Sequence, residues 1–404
     1  MNIAIIGGGA AGFFSAINVK ENYPKSNVVI FEKSQKVLSK VKVSGGGRCN
    51  VTNGCSSVNE LIKAYPRGGK KLKKIFNEFN TTDTIKWFET KKIPLYTQED
   101  GRVFPKTDQS QTIINCLFKE IRRLSIYLEL GTKIEKIEKV KGAIRLSVKN
   151  KDPQKFHKVI VATGGSPKIK GMEWIKELGH KIESPVPSLF TFNMPNENIK
   201  KLMGLVVEKT IVSIQGTKLK SDGPLLVTHW GMSGPAILKL SSFGAKILNE
   251  KNYDFKIQVN WVNEVNNEVV ANQLKEIIKN NPKKLVSNIK PYFLPERLWN
   301  FIIEKSLFEK DKRWEELGNK GINKLVSLLT NDIYCVKGKT TFKEEFVTCG
   351  GVSLDSVNLN TMESKICQGL YFAGEILDID AITGGYNFQA AWSTGFIAGK
   401  LISS

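Results

Sequence analysis

Much is missing from this sequence, and each absence narrows the reading. Its six cysteines, Cys49, Cys55, Cys116, Cys335, Cys349 and Cys367, form no CxxC pair and no cysteine–histidine spacing of a zinc site. Scattered in this way, they point to reduced thiols and a cytoplasmic protein. No apolar run approaches the roughly 18 residues of a membrane span, so no membrane association is expected. The N-terminus carries no basic stretch, and its apolar run gives way to glycines after six residues, so it is read as a strand and not as a signal peptide. A phosphate-binding P-loop, an HExxH helix and a GxSxG elbow are all absent, which sets aside P-loop nucleotide hydrolysis, zinc proteolysis and α/β-hydrolase chemistry. Acidic residues are scarce: 39 against 60 basic ones, a net charge of +21. Arginine is scarce too, at eight of those 60. A lysine-rich genome accounts for lysine over arginine but not for the shortage of acids. A polyanionic partner and a plain compositional bias therefore stand side by side.

What is present is organised around the first dozen residues. Ile3-Ala4-Ile5-Ile6 is a short apolar strand, followed by Gly7-Gly8-Gly9-Ala10-Ala11-Gly12 and a helical Phe13-Phe14-Ser15-Ala16-Ile17. This is G-x-G-x-x-G with a strand before it and a helix after it, the context of a dinucleotide fingerprint. Gly7 permits the tight turn, Gly9 lets the backbone approach a pyrophosphate, and Gly12 lets helix and strand pack closely. The helix N-terminus offers unpaired N–H groups to the phosphates. A second strand, Val28-Val29-Ile30-Phe31, ends at Glu32, placed to bind ribose hydroxyls. The competing explanation is a glycine-rich turn in another α/β unit.

With 404 residues the chain is long enough for two or three domains, since one core rarely exceeds roughly 250–300 residues. Ser44 to Asn53 (SGGGRCNVTN) is a glycine-rich loop whose N–H groups can face an anion, or else a surface turn. Tyr65 to Lys74 holds the densest basic cluster, Lys70, Lys71, Lys73 and Lys74. Gly101 to Pro105 reads as a turn before a helix over Gln109 to Leu124. Ile126 to Leu130 resumes the parallel sheet, and Lys133 to Val148 alternates around Lys141-Gly142 as a hairpin. Lys158 to Gly165 is a buried strand ending in a glycine turn. Beyond Pro187 the short strands Phe190–Phe192, Lys209–Ile214 and Phe255–Trp261 indicate a β-rich unit, with a helix over Ala236 to Leu248. Residues 265–330 show helical periodicity. Gly369 to Glu375 is again a strand with a glycine turn, and Thr383 to Gln389 opens a last helix, suited to the far end of a long cofactor.

Together these segments resemble the BaiN/RdsA-type FAD-dependent flavoproteins over essentially the whole chain. The loop Ser44 to Asn53 and the pair Gly374-Glu375 with Thr383 to Asn387 are the most specific; Lys42 departs from the family's usual aliphatic residue. The resemblance implies an α/β fold with a Rossmann-like FAD-binding domain over 1–187 and 346–404. A β-barrel-like domain over 188–263 and 331–345 and a small helical domain over 264–330 would be inserted in it. Gly7, Gly9, Ala10, Ala11 and Gly12 would hold the pyrophosphate, and Glu32 and Lys33 the adenosine ribose. Lys40, Gly45, Gly46, Gly47, Arg48 and Cys49 would line the pyrophosphate and flavin edge. Ile134 would meet the adenine, with Ala162, Thr163 and Gly164 beside it. Gly374 and Glu375 would contact ribityl or phosphate oxygens. Gly385, Tyr386, Asn387 and Phe388 would set a helix N-terminus by the flavin ring.

Only one dinucleotide fingerprint is present, so NAD(P)H, if used, binds transiently against the flavin. Members of the family are described as reductases or oxidases of differing substrates, one branch making dihydrouridine in large-subunit ribosomal RNA by reducing an activated C=C. Three functions follow as expectations: this RNA-modifying reductase, favoured by the charge; a small-molecule reductase or amine oxidase; and a flavin-containing redox sensor without turnover. Cys49 and His229 are the candidate proton donors. The alternative for Cys49 is a small buried apolar residue, and for His229 a core histidine bonded to backbone. His157 and His180 read as structural. Nothing in the sequence sets the oligomeric state.

Overall fold

The computed structural model describes residues 1–149, 151–340 and 347–403. The expected return from the β-rich part to the FAD-binding part, at 345/346, falls outside them. By internal contacts the chain divides into two compact units, Met1–Ser188 with Phe342–Ser404, and Leu189–Thr341.

The first unit is built on a seven-stranded sheet. Its order is Val357–Asn358, Glu363–Ser364, Leu370–Phe372, Lys158–Val161, Asn2–Ile6, Asn27–Phe31, Tyr127–Glu129. The last five are mutually parallel, with Ile3 beside Val28 and Lys158. A parallel strand is covered on both faces, which is why Ile3, Ala4 and Ile5 form an unbroken apolar run and are wholly buried. Helix Ala10–Asn22 leaves the first strand and is buried on almost every side, Phe13, Phe14, Ala16 and Ile17 completely. Its other face meets the closing helix Tyr386–Gly399. Two glycines one turn apart allow that approach: a Cβ at Gly395 would lie 3.1 Å from the Ala11 carbonyl oxygen, and one at Gly399 would lie 2.5 Å from the Asn18 Cβ.

Three smaller sheets decorate this unit. Ile182–Ser188 pairs antiparallel with Val347–Val352. Ile134–Val140, Ala143–Val148 and Gln154–Phe156 form the hairpin sheet anticipated around Lys141-Gly142. The third corrects the sequence reading: Arg102–Pro105, expected as a turn, is the central strand between Thr52–Asn53 and Leu95–Thr97. Burial of Val103 and Phe104 rewards this pairing, which the flanking Gly101 and Pro105 conceal.

The second unit is a seven-stranded antiparallel sheet ordered Asp332–Lys337, Asp254–Asn260, Val206–Ile214, Lys220–Val227, Gly231–Ser233, Thr191–Asn193, Lys339–Thr340. Helices Asn267–Asn280, Glu296–Ser306 and Gly318–Thr330 share a single core with it, in which Leu274, Trp299 and Leu325 join Val212 and Ile257. The helix expected over Ala236 to Leu248 is interrupted at Gly244, leaving Pro235–Phe243 and Ala245–Glu250. Among the described residues no helix is long and apolar enough to cross a membrane.

Candidate functional site

The site begins at the turn between the first strand and its helix. Gly7 has φ +116°, and a Cβ there would sit 2.3 Å from the Ala162 carbonyl oxygen. A Cβ on Gly12 would lie 1.9 Å from the Gly7 carbonyl oxygen. Both positions are closed to any side chain. At Gly9 the reverse holds: a Cβ would meet no atom within 4 Å. The turn is thus tight on its protein side and open on the other, as close approach of a pyrophosphate to backbone N–H groups requires. Glu32 stands at the end of the second strand, and its Oε2 accepts the Gly8 N–H at 2.8 Å while Oε1 accepts the Ser34 N–H at 2.9 Å. It therefore fixes the glycine turn; Lys33 beside it is exposed. The Thr132 N–H bonds to the Glu32 carbonyl at 2.8 Å, which brings buried Ile134 into the same neighbourhood.

The loop from Ser44 carries three glycines with positive φ, and a Cβ on Gly46 or Gly47 would meet nothing within 4 Å. Gly45 is instead pressed on Phe104, whose ring also carries the Arg48 guanidinium at 4.1 Å. Cys49 follows in a left-handed conformation, φ 63°, with its side chain wholly buried. Burial pushes its thiol up to about 12, against a small opposing effect of the hydrogen bond with Ser44.

The structure brings this loop onto the start of the closing helix. The Asn53 Nδ2 donates to the Gly384 carbonyl at 3.0 Å, and the Trp392 indole N–H donates to the Val51 carbonyl at 2.9 Å. Both Thr52 and Thr84 hydroxyls donate to the buried Gln389 Oε1, at 2.5 and 2.9 Å. A Cβ on Gly385 would fall 2.2 Å from the Thr52 carbonyl oxygen. Asn387 closes its own approach loop, exchanging two hydrogen bonds with the Ala381 backbone at 3.0 and 3.1 Å. Tyr386 and Phe388 are half-buried beside it. Gly374 packs on the other helix, since a Cβ there would reach the Ala11 Cβ at 2.7 Å. Lys40 and Glu375 form a direct ion pair of 2.5 Å, so the carboxylate is neutralised before any phosphate approaches. Gly164 lies next to the same carboxylate, its would-be Cβ 3.8 Å from Glu375 Oε2, and Thr163 backs the Gly7 turn.

The open faces of Gly9, Gly46 and Gly47, with two helix N-termini, Lys40 and Arg48 around them, fit an anionic dinucleotide. Sequence reading missed the residues that hold the arrangement together. The Tyr65 hydroxyl donates to the Tyr386 carbonyl at 2.7 Å, and the Ile382 N–H donates to the Ala64 carbonyl at 2.9 Å. Arg67 forms a buried ion pair with Asp380, which also accepts the Ser188 hydroxyl at 2.7 Å. His229 belongs to the second unit, exposed on the turn between strands Lys220–Val227 and Gly231–Ser233, with its ring 4.0 Å from that of Trp230. Lys70, Lys71, Lys73 and Lys74 are all exposed on helix Gly69–Glu78, whose buried face is Leu72, Ile75 and Phe76. Among the described residues no group of acids, histidines and cysteines is arranged to hold a metal.

Residues 1–401 match the family described as HI0933-like protein Rossmann domain. The chain belongs to this family. A 3-dehydro-bile acid delta(4,6)-reductase of Clostridium scindens is 26% identical, with 98% of each chain covered. A ribosomal RNA dihydrouridine synthase of Haemophilus influenzae is 27% identical over 99% of this chain and 98% of its own. Among solved structures, a 3-ketosteroid delta1-dehydrogenase from Sterolibacterium denitrificans superposes with a TM-score of 0.51 at 11% identity, covering 98% of both chains. At that identity the likeness establishes the fold alone.

Proposed function

We propose that this HI0933-like chain is an FAD-dependent oxidoreductase that reduces an activated C=C, with a uridine of large-subunit ribosomal RNA as its substrate and NAD(P)H as electron donor. The observation that carries the cofactor reading is the joining of the Ser44–Asn53 loop to the head of the closing helix, together with the open backbone at Gly9, Gly46 and Gly47. Bound FAD would supply hydride chemistry. The chain's own residues divide the remaining work. The turn Gly7 to Gly12 would bind the pyrophosphate through backbone N–H groups, and Glu32 holds that turn through Gly8. Arg48 would balance the phosphate charge, and Lys40 would keep Glu375 neutralised beside it. The helix N-terminus at Gly385 to Phe388 would stabilise negative charge at the ring end. Cys49 and His229 are the proposed proton donors to the substrate carbon. A thiol near 12 is poorly matched to proton donation at neutral pH, which counts against Cys49.

The RNA substrate is supported by the name of the relative from Haemophilus influenzae, by the net charge of +21 and by the exposed lysine face of helix Gly69–Glu78. The test is to delete the gene and map dihydrouridine in large-subunit ribosomal RNA by mass spectrometry. One position should revert to uridine and be restored by the intact gene but not by a Gly9→Val copy. An unchanged modification map would reject RNA as substrate. The second reading is a small-molecule reductase, favoured by the equally full-length similarity to the bile-acid reductase. It requires NAD(P)H oxidation driven by an unsaturated ketone in the absence of RNA.

A further inference from the structure

Helix Gly69–Glu78 is charged against its own dipole. Lys70, Lys71, Lys73 and Lys74 occupy its first two turns, where the N-terminus is already positive, and no acid stands in the first turn. Lys70 and Lys74 are also an i,i+4 like-charge pair, which disfavours a helix in isolation. Stability alone would place these lysines at the other end. A bound anion would offset both penalties.

The structure gives that anion a place. Lys70, Lys71 and Lys74 line an open surface cavity of about 370 Å³, completed by Leu354, Asp355, Val357 to Asn360 and Lys365, a lysine nearly 300 residues further along the chain. The volume is in the range of small-ligand sites, roughly 300–1,000 Å³. Leu359 gives it an apolar wall and four lysines give it charge, against a single carboxylate, Asp355. That carboxylate is held by Lys71 at 2.6 Å, which lowers it below the ordinary carboxylate range. The Lys365 ammonium donates to the Asp355 carbonyl at 3.0 Å. Among the described residues no carboxylate lies within ion-pair distance of Lys70 or Lys74. Lys73 is exposed outside the cavity. The position is also tied to the candidate flavin site. Gly68, which starts the helix, is packed so that a Cβ would touch Ile379 at 3.2 Å and Leu354 at 3.3 Å, and Arg67 before it pairs with Asp380.

We propose that this cavity seats one nucleotide of the RNA substrate, its phosphate held by Lys70, Lys74 and Lys365 and its sugar against Leu359. This rests on the RNA reading above. It makes the cavity a docking subsite, with Asp355 held by Lys71 as the one carboxylate in its lining.

The probe is an unmodified transcript of large-subunit ribosomal RNA, and the measurement is its Kd from 50 to 300 mM salt. The proteins are the wild type, Lys74→Glu/Lys365→Glu, Asp355→Asn and the control Lys251→Glu, an exposed lysine of the second unit. Flavin content should be the same in all four. Losing two phosphate contacts should weaken binding about tenfold or more and flatten the log Kd–log salt slope by roughly 1.5. Asp355→Asn should tighten binding about threefold by removing a negative charge from the cavity lining and releasing Lys71. The control should keep the wild-type slope. Equal weakening in the double variant and the control would overturn the cavity while leaving the RNA reading intact. No transcript binding by the wild type would sink both. Inorganic phosphate is the second probe. If it binds in a Lys365-dependent manner while RNA binding ignores Lys365, a free phosphate and not RNA is the occupant.

Discussion

Arg67 grips the Asp380 carboxylate with two nitrogens, Nε and Nη2, across 313 residues of chain, and the carboxylate is wholly buried. Burial alone pushes Asp380 up, and the guanidinium and the Ser188 hydroxyl pull it back. The pair locks segment 64–67 onto the loop that leads into the closing helix, alongside the Tyr65–Tyr386 contact. Removing one partner strands a buried charge. Arg67→Met should therefore cost about 3–5 kcal/mol in denaturant unfolding, more than the double change Arg67→Met/Asp380→Leu. A single variant as stable as the double would mean the two charges do not depend on each other.

Two of the fingerprint glycines, Gly9 and Gly12, should fail in different ways. Gly9 has open space where a Cβ would go and an ordinary φ of −93°, so Gly9→Val should fold and melt like flavin-free wild type yet purify colourless. Gly12 has no such space, since its Cβ would collide with the Gly7 carbonyl at 1.9 Å. Gly12→Val should lose the folded state itself, seen as insoluble protein or a collapsed melting transition. Flavin absorbance at full occupancy in purified Gly9→Val would refute the placement of the pyrophosphate.

What could be read in advance is what neighbouring residues decide among themselves. Ile3 to Ile6, the glycine spacing after it and the alternation around Lys141-Gly142 each state their structure within a few residues. Arg102–Pro105 does not, because its partners Thr52 and Leu95 lie elsewhere and its ends are turn-forming residues. The same limit hid Asp380 as the partner of Arg67, Gln389 as the shared acceptor of Thr52 and Thr84, and Lys365 as the fourth cavity lysine. Residue type named Cys49 as a candidate acid. Only packing revealed that its thiol has no access to water.

His180 gives the fold a pH dependence. It is buried, with Nε2 2.7 Å from the Ser364 hydroxyl and Nδ1 3.2 Å from the Ile175 carbonyl, and burial lowers its pKa from the ordinary 6.5. The folded state thus binds this proton less readily than the unfolded chain. Its contribution is complete above pH 6.5 and declines as pH falls from there toward the lowered folded value. Urea unfolding should show stability dropping between pH 7 and 5, and His180→Gln should flatten that slope. A slope unchanged in the variant would assign the loss to other groups.

Cys49 and His229 are the two proposed proton donors, and each can be tested. With its thiol near 12 and no exposure, Cys49 should resist iodoacetamide at pH 8 in the native protein, whereas exposed Cys335 should be alkylated. Cys49→Ala should then leave the pH–rate profile without a lost limb near 8.5, the range of an ordinary thiol. His229→Ala is expected to differ by step. Electron uptake from NAD(P)H needs no substrate proton and should stay near the wild-type rate. Transfer to the substrate should fall by roughly 10²–10⁴, the usual scale for a missing general acid. Stopped-flow absorbance resolves the two half-reactions. With one nucleotide fingerprint, donor and substrate should use the same cleft in turn, giving parallel lines in double-reciprocal plots. If His229→Ala passes electrons to substrate as fast as the wild type, the proton comes from another group, and the residue belongs to the turn of the second unit and not to the reaction.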